Sequence, residues 1–244
     1  MTRNRMYTAA ELVLAAALVA SLATACSRPR DPVADLIRDL DRYPEYSLVV
    51  DDLRVEDGFF PDYFLRFEVM TASGQRASGG DDLAYERRQS DWMQVPERVF
   101  ARYEHYLGMV VSAKTPDGRR TGASQAHPPG YQYVGNSSYG SWGAGGFWQF
   151  YGQYAFMSSM LGGHGINRAD YNDYRRTGQR GRPYFGPTKD GKTTFGTRGT
   201  ATQAARPSFY RRYQQRLSSG GRGFASRSTS RMGRSTSSRS RFGK

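Results

Sequence analysis

At the centre of this sequence lies Gly145-Gly-Phe-Trp-Gln-Phe-Tyr-Gly-Gln-Tyr-Ala-Phe-Met-Ser-Ser-Met-Leu-Gly-Gly163, the densest part of a longer stretch, Thr121 to Asn167, that contains no Lys, Arg, Asp or Glu. The chain differs on the two sides of this stretch. Residues 28–120 carry 14 Lys and Arg against 18 Asp and Glu, whereas residues 168–244 carry 19 against 3. The uncharged stretch therefore separates a slightly acidic region from a strongly basic one.

The aromatic part of the stretch predicts a short helix over residues 147–161. Its apolar residues recur at near-helical spacing, and glycine pairs stand at both ends, where the second pair suits a helix C-terminus. Such a helix is about 22 Å long, and a membrane span needs roughly 20 apolar residues. We therefore expect a core helix packed on the preceding domain, an interfacial helix or, as a third alternative, a span. The residues predicted to contact a membrane or a partner are Phe147, Trp148, Phe150, Tyr151, Tyr154 and Phe156.

The first residues predict an export signal. Two arginines precede Leu12 to Ala23, an apolar segment of the length found in signal peptides rather than in membrane spans. Small residues then lead to Cys26, the one cysteine of the chain, in a pattern that resembles the lipobox of bacterial lipoproteins. The resemblance implies a signal peptide over residues 1–25, lipidation of Cys26 and a tether over residues 26–30. An ordinary signal peptide followed by an unmodified cysteine is the alternative.

Lipidation would fix the location of the protein. Several acyl chains together give stable membrane anchoring, where one chain is marginal. Ser27, rather than Asp, follows Cys26, which by resemblance to Gram-negative lipoproteins implies the outer membrane if the host has two membranes. Because a single cysteine forms no disulfide within one chain, oxidation is not expected to stabilise the fold.

Residues 31–120 predict a small α+β head domain. Asp31-Pro32 suits a helix N-terminus, and Pro96 begins a second helix that Gly108 ends. About ninety residues suffice for one small core. We expect the order helix, strand, strand, helix, strand, and we expect residues 28–120 to fold without the rest of the chain. The predicted strands are residues 46–55, 63–70 and 109–113.

No group of residues in the sequence indicates catalysis. The histidines, His105, His127 and His164, lie far apart without Cys or HxxxH partners, so no metal site is predicted. Asp51 and Asp52 are adjacent in a predicted strand, where consecutive side chains point to opposite faces, so we do not expect them to share a proton. The common nucleotide-binding and hydrolase motifs are absent from the sequence. We therefore predict a protein that is not an enzyme, with no cofactor and no small-molecule substrate.

Residues 168–244 predict a mostly disordered basic tail. Asp190 is the last acidic residue, and 13 Lys and Arg follow it among Gly, Ser and Thr, few of which can build a core. A signal peptide removes nucleic acid from ordinary reach. The expected partners are an envelope protein or anionic groups that arginine binds well, namely lipid headgroups, lipopolysaccharide phosphates, peptidoglycan carboxylates and teichoic acids; a solvated linker is the alternative. The predicted anion-binding residues are Arg211, Arg212, Arg216, Arg227, Arg231, Arg234, Arg239 and Arg241.

Short glycine-aromatic motifs between residues 140 and 244 carry a family resemblance. They are Gly146-Phe-Trp148, Tyr151-Gly152, residues 157–163, Tyr184-Phe-Gly186, Phe195-Gly-Thr197, residues 221–224 and the Ser/Arg end. On these motifs the second half resembles the YgiB/YjfM-like envelope lipoproteins, which also combine a lipobox, an uncharged aromatic stretch and a Gly/Ser/Thr/Arg tail. The resemblance implies no activity. Because such proteins are often encoded near ATP-grasp enzymes similar to glutathionylspermidine synthases, it also implies a tail open to modification.

Together these features predict a non-enzymatic, lipid-anchored protein of the bacterial cell envelope. Its small folded head and basic tail would bind an anionic envelope component or a partner protein. The alternative is a membrane-active or self-assembling protein that acts through residues 145–163.

Overall fold

A computed structural model describes residues 30–56, 58–73, 84–115 and 117–218. From Pro32 onward the described residues belong to one compact unit. The unit combines helices with antiparallel strands, which confirms the predicted α+β class. The predicted signal peptide, the lipidation site Cys26 and the arginines from residue 219 onward lie outside the described residues.

The order of elements up to Lys114 follows the prediction, with two further strands inserted before the second helix. The strands are β1 (Glu45–Glu56), β2 (Asp62–Ser73), β3 (Ala84–Gln89), β4 (Met93–Val95), β5 (Val110–Lys114), β6 (Arg120–Thr121), β7 (Gly140–Trp142), β8 (Trp148–Phe150), β9 (Thr188–Lys189) and β10 (Lys192–Thr193). The helices are α1 (Pro32–Leu40), α2 (Glu97–Tyr103), α3 (Phe156–Met160), α4 (Arg168–Gln179), α5 (Thr200–Ala205) and α6 (Pro207–Ser218). Short 3-10 helices cover Ala123–Gln125, Tyr131–Tyr133 and Gly152–Tyr154.

The central sheet is antiparallel and is built around a long hairpin of β1 and β2. The strand order is β3-β2-β1-β5-β6, and β4 pairs with the first part of β2. The hairpin pairs Glu45 with Ala72 at one end and Glu56 with Asp62 at the other, and its register shifts between Val50 and Asp52. The strand order places β1 and β2 in the interior of the sheet, so both of their faces can be covered.

The first face of the sheet carries a core of aliphatic and aromatic residues beneath two helices. Leu48 and Val50 of β1 and Leu65, Phe67 and Val69 of β2 are all buried in one cluster, as strand alternation requires. The rings of Phe67 and Tyr103 meet edge to face with centroids 6.0 Å apart, which places α2 on this face. The helical residues in the cluster are Val33, Leu40, Val99, Phe100 and Tyr103.

The second face of the sheet is covered by the uncharged stretch. Met70, which points away from Phe67 and Val69, is buried in a second cluster with three tyrosines and a methionine, and Val49 lies under Met160. The predicted domain boundary at residue 120 is therefore wrong, because residues 121–167 supply ten of the 33 buried apolar residues among the described ones and lie in the same compact unit as the strands. Burial explains why this stretch carries no charge, since a buried charge needs a partner. The residues covering Met70 are Tyr133, Tyr139, Tyr154 and Met157.

The predicted helix over residues 147–161 is wrong for most of its length. Residues 148–150 form β8, which pairs with β7 so that Trp142 lies opposite Trp148. A Cβ atom on Gly140 would lie 2.2 Å from the carbonyl oxygen of Gln149, so only glycine allows this pairing. Helical structure is restricted to a 3-10 turn and to α3, residues 156–160.

The prediction of a mostly disordered tail is wrong for residues 168–218. Helices α4, α5 and α6 occupy much of this range, and Tyr184 and Phe195 are buried in the main core cluster. Arg206, just before α6, donates from Nη1 to the backbone oxygen of Asp51 at 2.7 Å, which ties this part of the chain to β1. Residues 219–244 lie outside the described residues.

Candidate functional site: an arginine-tyrosine cleft

A cleft of about 330 Å³ opens between the β5–β6 turn and α4. Its walls come from the β5–β6 turn, from residues between 125 and 132, and from residues 171–184. We call it the arginine-tyrosine cleft. It is lined by Thr115, Arg119, Arg120, Thr121, Gln125, Tyr131, Gln132, Tyr171, Tyr174, Arg175, Gly178, Gln179, Arg182 and Tyr184.

Helix α4 presents one tyrosine-bearing side to the cleft. The helix begins at Asn167, whose side-chain oxygen accepts a hydrogen bond from the backbone N–H of Asp170 at 2.9 Å. Tyr171, Tyr174 and Gly178 then follow at spacings of three and four, so they share one side of the helix. Gln125 donates from Nε2 to the backbone oxygen of Gly178 at 3.0 Å and links the opposite wall to α4.

The tyrosines of the cleft form a continuous aromatic wall. The ring of Tyr174 lies 5.5 Å from that of Tyr131, 6.0 Å from that of Tyr184 and 6.2 Å from that of Tyr171, measured between centroids. Burial raises the pKa of Tyr174 to about 12 and raises the pKa values of Tyr131 and Tyr184 as well. These phenols therefore stay neutral at physiological pH and offer ring faces together with O–H donors.

The charged side chains that line the cleft are all arginines. Arg119 donates to Asp117 at 2.7 Å, and Arg120 donates to Asp41 at 2.8 Å. Arg175 and Arg182 are exposed and make no ion pair within the described residues. Two arginines thus have carboxylate partners outside the lining and two do not, which leaves an excess of positive charge at the mouth of the cleft.

A buried, uncharged histidine bonds to two of the glutamines that line the cleft. His127 is fully buried, with Nδ1 at 3.0 Å from the backbone oxygen of Gln125 and Nε2 at 3.0 Å from Oε1 of Gln132. Gln132 in turn donates to Oγ of Ser47 in β1 at 2.8 Å. Burial lowers the pKa of His127, so the imidazole is neutral at pH 7. The histidine therefore positions Gln125 and Gln132 rather than taking part in proton transfer.

A second and larger cleft, about 660 Å³, lies beside residues 49–51 of β1, but its charges neutralise one another. The register shift in β1 brings Asp51 and Asp52 to the same partner: Arg66 donates to Asp51 at 2.7 Å and to Asp52 at 3.3 Å. The expectation that these carboxylates point to opposite faces is therefore wrong, because a bulge interrupts the alternation. Arg87 likewise pairs with Glu68 at 2.8 Å. This cleft consequently lacks the charge excess of the arginine-tyrosine cleft.

The aromatic residues predicted to contact a membrane or a partner divide into three groups. Trp148 and Tyr154 are 7% and 1% exposed, so these two predictions are wrong: both side chains belong to the core. Phe150 and Phe156 are half-buried. Phe147 and Tyr151 are about half exposed and remain open to a partner.

The arginines predicted to bind anions are only partly described. Arg211 and Arg212 are exposed on α6, and Arg216 is half-buried on the same helix. Arg227, Arg231, Arg234, Arg239 and Arg241 lie outside the described residues. Sequence reasoning missed Arg175 and Arg182, although the aromatic density between Tyr171 and Tyr184 was a usable signal for them. Their location in the same cleft as Tyr131 depends on tertiary contacts that no local sequence pattern encodes.

Comparisons of the chain with models of known protein families, with curated proteins and with solved structures found no match. The resemblance to the YgiB/YjfM-like lipoproteins therefore stays a prediction. Among the described residues, no helix combines the length and apolar character that a membrane crossing requires. The same residues contain no group of three or more His, Cys, Asp or Glu side chains arranged to hold a metal ion.

Proposed function

We propose that this chain is a non-enzymatic, lipid-anchored envelope protein that holds an anionic envelope glycan in the arginine-tyrosine cleft. The observation that carries the proposal is the lining of the cleft, which joins four arginines and four tyrosines with no carboxylate. The lipobox-like sequence at Cys26 supports the envelope location, and Ser27 supports the outer membrane in a Gram-negative host. The alternative of a membrane-active segment at residues 145–163 has less support, because Trp148 and Tyr154 are buried.

The chemistry of the lining favours a sugar that carries acidic groups. Guanidinium groups bind carboxylate or phosphate through two parallel hydrogen bonds. Tyrosine ring faces can pack against the C–H faces of a sugar ring, and neutral phenols and the amides of Gln125 and Gln132 can bond to its hydroxyls. A peptidoglycan strand offers rings, hydroxyls and carboxylates together. We therefore place peptidoglycan ahead of a bare phosphate polymer as the occupant.

Anchoring would compensate for modest affinity in the cleft. Acyl chains at Cys26 would hold the protein close to the envelope polymer, so the effective concentration is high even where the free affinity is low. Residues 219–244 add seven basic residues and no acidic one. Their attraction to anionic groups would be unspecific and screened within a Debye length of about 8 Å at physiological salt. Contacts in the cleft would determine which ligand is bound, and the basic residues 219–244 would hold the protein near anionic polymers.

The proposal is tested by binding of soluble peptidoglycan fragments to the full chain, measured by isothermal titration calorimetry. Replacing Arg175 and Arg182 by Gln should weaken binding about tenfold or more, since hydrogen bonds to charged groups contribute about 1.5–3 kcal/mol each. The matched control replaces Arg211 and Arg212 by Gln, which removes the same charge from α6. Equal losses in the two variants would mean that net charge alone binds the glycan, and the proposal would fail.

The aromatic wall gives an independent check on the ligand class. Tyr171→Ala should weaken the binding of peptidoglycan fragments and leave inorganic polyphosphate binding nearly unchanged, because polyphosphate has no ring to stack. Neutral dextran should bind neither protein. A Tyr171 variant that loses both ligands equally would show that the tyrosines only shape the cleft, and the glycan would no longer be the preferred occupant.

A further inference from the structure

The turn between β1 and β2 exposes two adjacent phenylalanines. Phe59 is 94% exposed and Phe60 is 81% exposed, and their rings meet edge to face with centroids 4.9 Å apart. The other large apolar side chains at the surface, Phe147 and Tyr151, are about half covered. Exposing two large rings to water is unfavourable in free energy, and such apolar surface commonly marks an interaction site. We call residues 58–61 the hairpin tip.

The scaffold holds this tip in a defined position. β1 and β2 are the longest strands within the described part of the chain, and they stay paired as far as Val55 with Tyr63 and Glu56 with Asp62. Pro61 restricts the backbone directly after the two rings. The rings therefore project from the end of a long two-stranded ladder rather than from a loosely attached loop.

Helix α6 places arginines beside the same end of the hairpin. Phe209 and Tyr213 of α6 line a small cavity of about 170 Å³ together with residues 53–55 of β1. From Val55 to Phe59 is four residues, about 13 Å of extended chain. Arg211 and Arg212 are exposed on α6 and form no ion pair within the described residues. Arg212 lines the same cavity, and Arg211 is its neighbour on α6, so two exposed cations lie on the helix that packs beside this part of the hairpin.

Acidic residues lie at this end as well: Glu104 lines the same cavity as Phe209, and Asp62 follows the tip directly. Glu56 pairs with Arg54 at 3.4 Å, and Asp62 accepts a hydrogen bond from Gln94 at 2.8 Å. Asp57 also flanks the tip in the sequence. Beyond α6, residues 219–244 carry basic residues and no acidic one. Among the described acidic residues here, only Glu56 is paired with an arginine, so the base of the tip keeps some negative charge, whereas α6 carries three arginines and no carboxylate and is the side complementary to anionic lipid headgroups.

We propose that the hairpin tip inserts Phe59 and Phe60 into the hydrocarbon boundary of a bilayer containing anionic phospholipid, while Arg211 and Arg212 bind its headgroup phosphates. Interfacial binding of this kind combines apolar insertion with attraction of cations to anionic lipid. It gives the protein a second membrane contact besides a lipid at Cys26 and does not depend on ligand binding in the arginine-tyrosine cleft.

Insertion can be measured by fluorescence of a Phe59→Trp variant of the full chain, with the parent protein subtracted. Vesicles contain phosphatidylcholine with or without phosphatidylglycerol, and some carry brominated acyl chains that quench only a buried indole. We expect strong quenching of Trp introduced at position 59 in the anionic vesicles. The matched reporter, Phe147→Trp, should show little quenching.

The arginines and the rings give separate readouts. Arg211→Gln with Arg212→Gln should reduce the quenching in anionic vesicles several-fold and leave it unchanged in pure phosphatidylcholine. Phe60→Ser in the reporter protein should lower vesicle partitioning about tenfold, as loss of one buried aromatic ring predicts. Circular dichroism of each variant should match that of the parent protein, because all these positions are exposed.

Two outcomes would overturn the proposal. If the protein binds vesicles while the introduced indole is not quenched, the anchor acts alone and the tip stays in water. If the indole emission shifts to the blue with rising protein concentration in the absence of vesicles, the tip instead contacts a second copy of the chain. Blue-shifted emission only on addition of another envelope protein would assign the tip to that protein and equally exclude the bilayer.

Discussion

Each face of the central sheet buries one glutamate, and the two carboxyl groups differ in their hydrogen bonding. On the second face, Glu45 accepts hydrogen bonds from the hydroxyls of Tyr139 at 2.9 Å and Tyr85 at 3.0 Å. On the helical side, Glu104 follows α2, and its Oε2 atom is buried without a hydrogen-bond partner among the described residues. The phenols on the second face therefore satisfy a buried carboxyl group, whereas the carboxyl group on the helical side keeps one oxygen without a hydrogen bond among the described residues.

The largest effect is expected when the residues that cover the second face of the sheet are removed from the chain. A fragment of residues 28–120 would expose Val49, Met70, Val110 and Ala113 to water and leave Glu45 without Tyr139. We expect it to aggregate or to lack a cooperative thermal transition, which circular dichroism would detect. The sequence-based expectation that this fragment folds alone is thus reversed. A fragment ending at Ser218 is the control and should melt cooperatively.

The unsatisfied glutamate predicts a pH effect on stability. Burial, with a smaller effect of Glu97, raises the pKa of Glu104 from 4.5 to about 7. The unfolded chain releases this proton near pH 4.5 and the folded protein near pH 7, so the free energy of unfolding falls as pH rises through this window. Glu104→Gln removes the cost and should stabilise the protein above pH 7 by up to about 3 kcal/mol.

Urea denaturation of the Glu104→Gln variant and the parent protein checks this prediction. The difference in the free energy of unfolding should be small below pH 4.5 and should grow until pH 7. The subtraction cancels other titrating groups, such as Glu68, whose pKa burial also raises. A difference that does not change with pH would mean that Glu104 is ionised in the folded protein.

The satisfied glutamate predicts a smaller loss of stability when one of its hydrogen-bond donors is removed. Tyr139→Phe deletes one hydrogen bond to the Glu45 carboxyl in a site from which water is excluded, and it should cost about 2 kcal/mol. The matched control is Tyr46→Phe on the first face, where the hydroxyl lies 3.1 Å from that of Ser112. That neutral pair should be worth about 1 kcal/mol. Equal losses measured by urea denaturation would remove the distinction between the two faces.

How much of this fold follows from the sequence depends on whether the signal is local. The first face was predictable because Leu65, Phe67 and Val69 alternate within one strand and because α2 begins directly after Pro96. The predicted end of this helix at Gly108 is wrong, because the helix ends at Tyr103. Residues 147–161 were misjudged because an aromatic run at helical spacing fits β8 and α3 in succession equally well. The sequence does not show why position 140 must be glycine. The reason is the close approach of the Gln149 carbonyl oxygen when β7 pairs with β8.

The candidate site was less predictable than the fold for the same reason. The basic tail pointed to anion binding, but composition alone gives no way to tell a structural arginine from a free one. Arg206 bonds to Asp51 and is structural, whereas Arg175 and Arg182 are open to a ligand. Only the three-dimensional placement of α4 against Tyr131 and Gln125 separates these roles.

The central claim is that the uncharged stretch is part of the core rather than a hinge, and amide hydrogen exchange in the full chain tests it most directly. The backbone N–H groups of His127, Trp148 and Tyr151 donate to Val110, Ile166 and Tyr139 at 3.1, 2.8 and 3.0 Å. We predict that these amides exchange as slowly as those of β1 and β2, because they open only with the whole core. Exchange at the rate of an unprotected chain would show that residues 121–167 form a linker, and the account would be wrong.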